Sequence, residues 1–139
     1  MQLGQAREEF CECLMRLEAE MLAKGRKFRR GECMRTDEQA VINALGPTRR
    51  HALALLVANV EPALATALTN NGKVKSPLMT VHRFGLAQDY DLFKDGQYQD
   101  KTEQHKVFGE FWEKLHPLAR WGGRFGDGNH YSFEWYGVK

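Results

Sequence analysis

Thr80-Val81-His82-Arg83-Phe84-Gly85-Leu86-Ala87-Gln88-Asp89 marks the point where the pattern of this chain changes. Upstream, apolar residues recur at helical spacing. From Met79 to Phe93, β-branched and aromatic residues mix with polar ones, and the run closes at Lys94-Asp95-Gly96, a hairpin signal. The switch predicts a strand pair. It also predicts an α+β fold, with helices in the first half and an antiparallel sheet in the second.

Between Arg7 and Lys24, Phe10, Leu14, Leu17 and Met21 recur every three or four residues, with Glu8, Glu12, Arg16 and Glu20 between them, which predicts an amphipathic helix. Gly25 ends it. The basic run Lys24-Gly-Arg-Lys-Phe-Arg-Arg30 reads as a solvated turn, and Gly31-Glu-Cys-Met-Arg35 as a short strand. Thr36 and Gln39 have capping-box spacing and should open a helix running to about Leu45. Gly46-Pro47 breaks it. The Ala- and Leu-rich residues 48–69 predict one or two more helices, interrupted or bent near Pro62, before a turn at Asn70-Asn71-Gly72. Downstream, Val107, Phe108, Phe111, Trp112 and Leu115 mark a helix from Thr102 to Leu118 closed by Pro117, and the glycine-rich stretch from Arg120 to Tyr136 reads as loop and strand.

The 139 residues fit one domain spanning 1–139. Hydrophobic residues at 42% and charged ones at 27% suit a globular chain, and a net charge of +2 is too small to imply polyanion binding. Three cysteines, Cys11, Cys13 and Cys33, form neither a disulfide framework nor a four-ligand structural zinc set, so they are expected to be buried free thiols in a reducing compartment. The amino terminus MQLGQAREEF has no apolar run of the signal-peptide kind, and no stretch reaches the length of a membrane span. Synthesis and initial residence in the cytoplasm follow as the expectation.

The chemistry resides in His82 and Asp89, and in Asp127 and His130 of Asp-Gly-Asn-His. A catalytic zinc needs three nitrogen or oxygen ligands and one open position, and two imidazoles with one carboxylate meet that count. A further carboxylate beside the water can take its proton, and Asp127, three residues before His130, can reach it. Asp91 is the rival third ligand, because residues two apart on a strand share a face. His51, His105 and His116 read as surface or capping residues, and Trp112, Trp121 and Trp135 as core. Asp127 could instead serve only its glycine-rich turn, and Arg35 a surface ion pair.

With these residues in place, the sequence resembles the zinc peptidases that include D-alanyl-D-alanine dipeptidases and carboxypeptidases and the phage L-alanyl-D-glutamate endopeptidases. Their motif Ser-x-His-x-x-Gly-x-Ala-x-Asp is similar to Thr80–Asp89, with threonine in the serine position. An acidic residue three before the last zinc histidine matches Asp127 and His130, after Trp121-Gly122-Gly123, and an Arg-Thr pair opening a helix matches Arg35-Thr36. The resemblance spans most of Arg35 to Glu134. It implies zinc (Zn2+) ligation by His82, Asp89 and His130, with the zinc site on the second-half sheet, general-base catalysis by Asp127, and a substrate or transition-state contact from Arg35.

The chain departs from the family in places. Aspartate at the base position, in place of glutamate, moves it toward the phage branch. Ser132 stands where the family places a glutamate, Glu134 is given no role, and residues 48–69 are longer than the family spacing implies. The resemblance implies a phage endolysin that hydrolyses a peptide bond in the peptidoglycan stem peptide. Such an enzyme would be a monomer that binds bacterial peptidoglycan, does not bind nucleic acid and does not insert into the membrane. It would stay in the host cytoplasm until a separate holin-like protein opens the membrane. Two alternatives stand beside it. One is a D-Ala-D-Ala carboxypeptidase or dipeptidase; the other is a non-catalytic zinc-containing domain whose basic run grips wall polymer or nucleic acid.

Overall fold

The computed structural model describes residues 1–45, 47–70 and 80–139; Gly46 and the turn expected over residues 71–72 lie outside them. In chain order the elements are α1 (Leu3–Ala23), β1 (Lys27–Arg30), α2 (Asp37–Leu45), α3 (Pro47–Val57), α4 (Pro62–Asn70), a 3-10 turn (Val81–Phe84), β2 (Ala87–Lys94), β3 (Gln97–Gln99), α5 (Thr102–Leu115), β4 (Ala119–Trp121), a second 3-10 turn (Gly122–Phe125) and β5 (His130–Phe133). The α+β expectation holds, with helices mostly in the first half and the sheet mostly in the second. Two compact units result, one from Met1–Met34 with Val81–Lys139 and the other from Arg35–Thr80.

In the first unit the strands lie in the order β1-β2-β5-β4, and β3 also pairs with β2; every pairing is antiparallel. Asp95 (φ 50°) and Gly96 (φ 77°) join β2 to β3, and two successive left-handed residues give the tight turn whose twist suits a hairpin. One sheet face is aromatic. Phe10 of α1 meets Trp112 of α5 edge-on at 5.6 Å and Phe133 of β5 at 5.2 Å, while Tyr131 packs on both Trp112 and Tyr90. Leu14, Leu17 and Met21 continue the same stripe along α1. Side chains alternate along a strand, so Tyr90 and Tyr131 facing the helices turn their neighbours Asp89 and His130 to the opposite face.

Of the basic run, only Lys24 and Gly25 lie in a turn. Lys27–Arg30 forms β1, because Phe28 can pack edge-on against Tyr90 at 5.5 Å while Arg29 pairs across the ladder with Asp91 at 3.7 Å and lies over the Phe93 ring. Gly31–Arg35, expected as a strand, lies outside any named strand, although Gly31 N–H donates to Asp89 O and Asp89 N–H to Glu32 O. Arg30 meets the buried Glu18 through two hydrogen bonds of 2.7 and 2.8 Å, and the Tyr90 hydroxyl donates to the same carboxylate at 2.6 Å. Burial pushes the Glu18 carboxyl up, but the bonds from Arg30 and Tyr90 outweigh it and leave the group below its ordinary range.

A folded-state pKa below the unfolded one contributes stability that is full above the ordinary glutamate value of about 4.3 and fades as pH falls below it. Glu18→Gln is therefore expected to cost about 1–2 kcal/mol at pH 7, with a smaller cost near pH 3. Urea unfolding at the two pH values tests this, and equal midpoints for variant and native protein at pH 7 would contradict it.

Three further expectations change. Cys11, Cys13 and Cys33 are free, but only Cys13 is buried. His105 is not at the surface. It shares the inner face of α5 with Phe108 and Trp112, is buried beside the Tyr131 hydroxyl at 3.1 Å, and burial lowers its pKa. His116 does cap, accepting from Leu118 N–H at the end of α5 while stacking on Phe133, and His51 is exposed on α3. Trp112 and Trp121 are core, whereas Trp135 is only partly buried.

In the second unit, Pro47 and Pro62 each stand first in a helix, where a missing N–H costs nothing. Thr36 Oγ1 accepts from Gln39 N–H at 3.2 Å to cap α2, while the Gln39 side chain donates forward to Asn43. Ile42, Ala54 and Leu68 form a small core of their own.

Candidate metal centre

His82 sits in the first 3-10 turn, whose flanks Val81 and Leu86 are fully buried and joined by Leu86 N–H to Val81 O. The Arg7 side chain donates to Phe84 O at 2.7 Å and ties the same turn to α1. Asp89 lies on β2 directly opposite His130, the first residue of β5. A cross-strand pair on one face is what brings a carboxylate and an imidazole from distant parts of the chain into contact.

His130 Nδ1 is 3.0 Å from Asp89 Oδ1, and His82 Nε2 is 3.5 Å from the same oxygen. One ligand atom from each of the three residues lies within 4.8 Å of the others. His82 Nδ1 is 3.1 Å from the carbonyl of Cys33. A carbonyl only accepts, so Nδ1–H donates, and Nε2 is the ring nitrogen that faces Asp89. Burial pushes the Asp89 carboxyl up, but hydrogen bonds from His130 and His82 overcome this and hold it well below the usual carboxylate range. Two imidazole nitrogens and a carboxylate oxygen that converge in this way could hold a metal ion, and they match in kind the donor set of an open three-ligand zinc site.

Asp127 stands in the turn that leads into His130. Its N–H donates to Gly122 O at 2.9 Å, and His130 N–H donates to Asp127 O at 3.2 Å. The Asp127 side chain is exposed and makes no hydrogen bond among the described residues. Trp121 holds this turn from below: its indole N–H donates to Gly128 O at 2.8 Å, and its ring lies so close to Gly109 and Gly123 that neither could carry a Cβ. Gly122 is equally constrained. A Cβ there would lie 2.8 Å from the His130 Cβ and closer still to the Asp127 carbonyl oxygen. Gly122→Ala is expected to weaken zinc binding about tenfold or more by displacing the His130 turn. Zinc titration against a competing chelator measures this, and native affinity in the variant would show that the turn tolerates the added carbon.

The structure thus brings together His82, Asp89 and His130 and ties Asp127 to His130 through the backbone. Arg35 belongs to the second unit, where it precedes α2 and is buried. Asp91 is not part of the cluster, since it engages Arg29 and the Tyr98 hydroxyl. Two residues in contact with the cluster escaped the sequence reading. Cys33 acts through its carbonyl, which every residue type carries, so no sequence signal could reveal it. Phe125, whose ring centroid is 6.4 Å from that of His130, had a weak signal in its place just after Trp-Gly-Gly.

The fold is similar to that of a D,D-pentapeptidase. That neighbour is the vancomycin-resistance enzyme VanY from a VanB-type resistance cassette, crystallised as a mutant in complex with Zn(II). The likeness has a TM-score of 0.52 at 16% identity and covers 89% of this chain and 70% of VanY. At that identity VanY shares the fold, and the His/Asp/His geometry is this chain's own observation. The sequence matches no protein-family model and no curated protein sequence.

Proposed function

We propose that this chain is a zinc peptidase that hydrolyses a peptide bond in the stem peptide of bacterial peptidoglycan, as phage endolysins of the L-alanyl-D-glutamate type do. The observation that carries the reading is the convergence of His82, Asp89 and His130 within 4.8 Å on a fold similar to that of a zinc D,D-pentapeptidase.

His82 through Nε2, Asp89 through its carboxylate and His130 through Nδ1 would hold the ion, leaving one position open to water and substrate. Bound there, zinc would acidify its water to a pKa of roughly 7 and polarise a carbonyl. Asp127, uncommitted to any other partner, takes the proton from the attacking water and returns it to the departing amine, so the base becomes the acid of the second half-reaction. Arg35 is assigned the carbonyl oxygen as charge develops on it. Peptidoglycan is the proposed partner, with the protein acting as a monomer after release by a separate holin-like protein. No helix among the described residues is long and apolar enough to cross a membrane.

A second reading follows from the neighbour itself, since a D,D-peptidase would use the same groups to remove a terminal D-Ala. Digesting purified peptidoglycan and identifying the new amino termini by mass spectrometry separates the two. A new amino terminus within the stem peptide supports the endopeptidase. Release of free D-Ala with no internal cut assigns the chain to the second reading.

A further inference from the structure

Three aromatic side chains are exposed among the described residues: Tyr98, Phe125 and Tyr136. Tyr98 leans on Phe93 at 5.6 Å and donates to Asp91, and Tyr136, although 90% exposed, meets Trp135 edge-on at 5.1 Å; neither ring contacts His130 among the described residues. Phe125 is different. It is 58% exposed, and its one aromatic neighbour among the described residues is the ring of His130, at 6.4 Å and a 54° tilt.

The backbone beneath it is braced. Arg124 grips Glu113 of α5 with contacts as short as 2.6 Å and lies over the Trp121 ring at 5.6 Å. Gly126, at φ 89°, closes the 3-10 turn with its N–H on Gly123 O. An apolar ring held by rigid supports beside a metal-ligand candidate, and turned to solvent, contributes little to the core. Beside His130, such a ring is open to contact with a bound peptide.

We infer that Phe125 is a substrate-positioning wall, packing against the aliphatic side chain of the peptide residue next to the scissile bond. The assignment rests on the peptidase reading above. An alanyl methyl over the ring face would orient the backbone without any polar group, adding an apolar contact to the polar ones proposed above. Such a contact is made equally in the ground and transition states, so it appears in KM and not in kcat.

The test uses the full chain loaded with zinc and the soluble stem peptides released from purified peptidoglycan. Phe125→Ala is expected to raise KM about tenfold while kcat stays within about twofold, as befits one lost apolar contact. Phe125→Tyr, which keeps the ring, should restore the native KM, and Phe125→Leu should fall between. Zinc content and melting temperature should match the native protein in all three. A native KM for Phe125→Ala, or a loss confined to kcat, overturns the assignment while leaving the peptidase reading intact. If the native chain cleaves no peptide, the reading and the assignment fall together.

Discussion

Asp127→Ala is expected to lower kcat on peptidoglycan stem peptides about 100- to 10,000-fold, the usual worth of a positioned general base. The Asp127 carboxylate is exposed and bonded to nothing among the described residues, so the fold does not depend on it. Only the backbone of residue 127 is built into the turn, through Gly122 O and the His130 N–H, and alanine preserves both bonds. Zinc content and melting temperature should therefore remain native while turnover disappears. A variant that loaded zinc and cleaved at the native rate would remove Asp127 from the chemistry and assign it to the glycine-rich turn.

The second large effect is expected at Asp89. Its Oδ1 is the atom both imidazoles approach, at 3.0 and 3.5 Å, and it is the one negative charge in the cluster. Asp89→Ala should weaken zinc binding by about 100-fold or more, beyond what losing a supporting hydrogen bond costs. The same change should remove most of the stabilisation that zinc would give the native chain, about 2.7 kcal/mol at a hundred times Kd. Calorimetric titration and thermal melts with and without zinc measure both. Native affinity in Asp89→Ala would mean that the ion is held elsewhere.

How much of this was legible in the sequence depended on which physical signal each residue carried. The helical stripe of Phe10, Leu14, Leu17 and Met21 and the Asp95-Gly96 hairpin were plain, because burial and a left-handed turn each leave a mark in residue type. β1 was misread because its charges suggested solvent, whereas Phe28 packs on Tyr90 and the arginines lie along acidic and aromatic partners. His105 was misread although its spacing to Phe108 and Trp112 already placed it on the buried face of α5. The spacing of His82, Asp89 and His130 suggested a shared metal. The bond from His82 to the Cys33 carbonyl had no such trace, since it joins residues 49 apart through a main-chain atom.

The register Asp89↔His130 has a further consequence. Side-chain direction reverses with every residue along a strand, so sliding β5 by one position past β2 would turn His130 toward the aromatic core and break up the donor set. An unfolded or misaligned chain would grip zinc poorly, and a correctly aligned one would grip it well. The ion would then act as a proofreader of strand alignment, rewarding only molecules whose two central strands are in step.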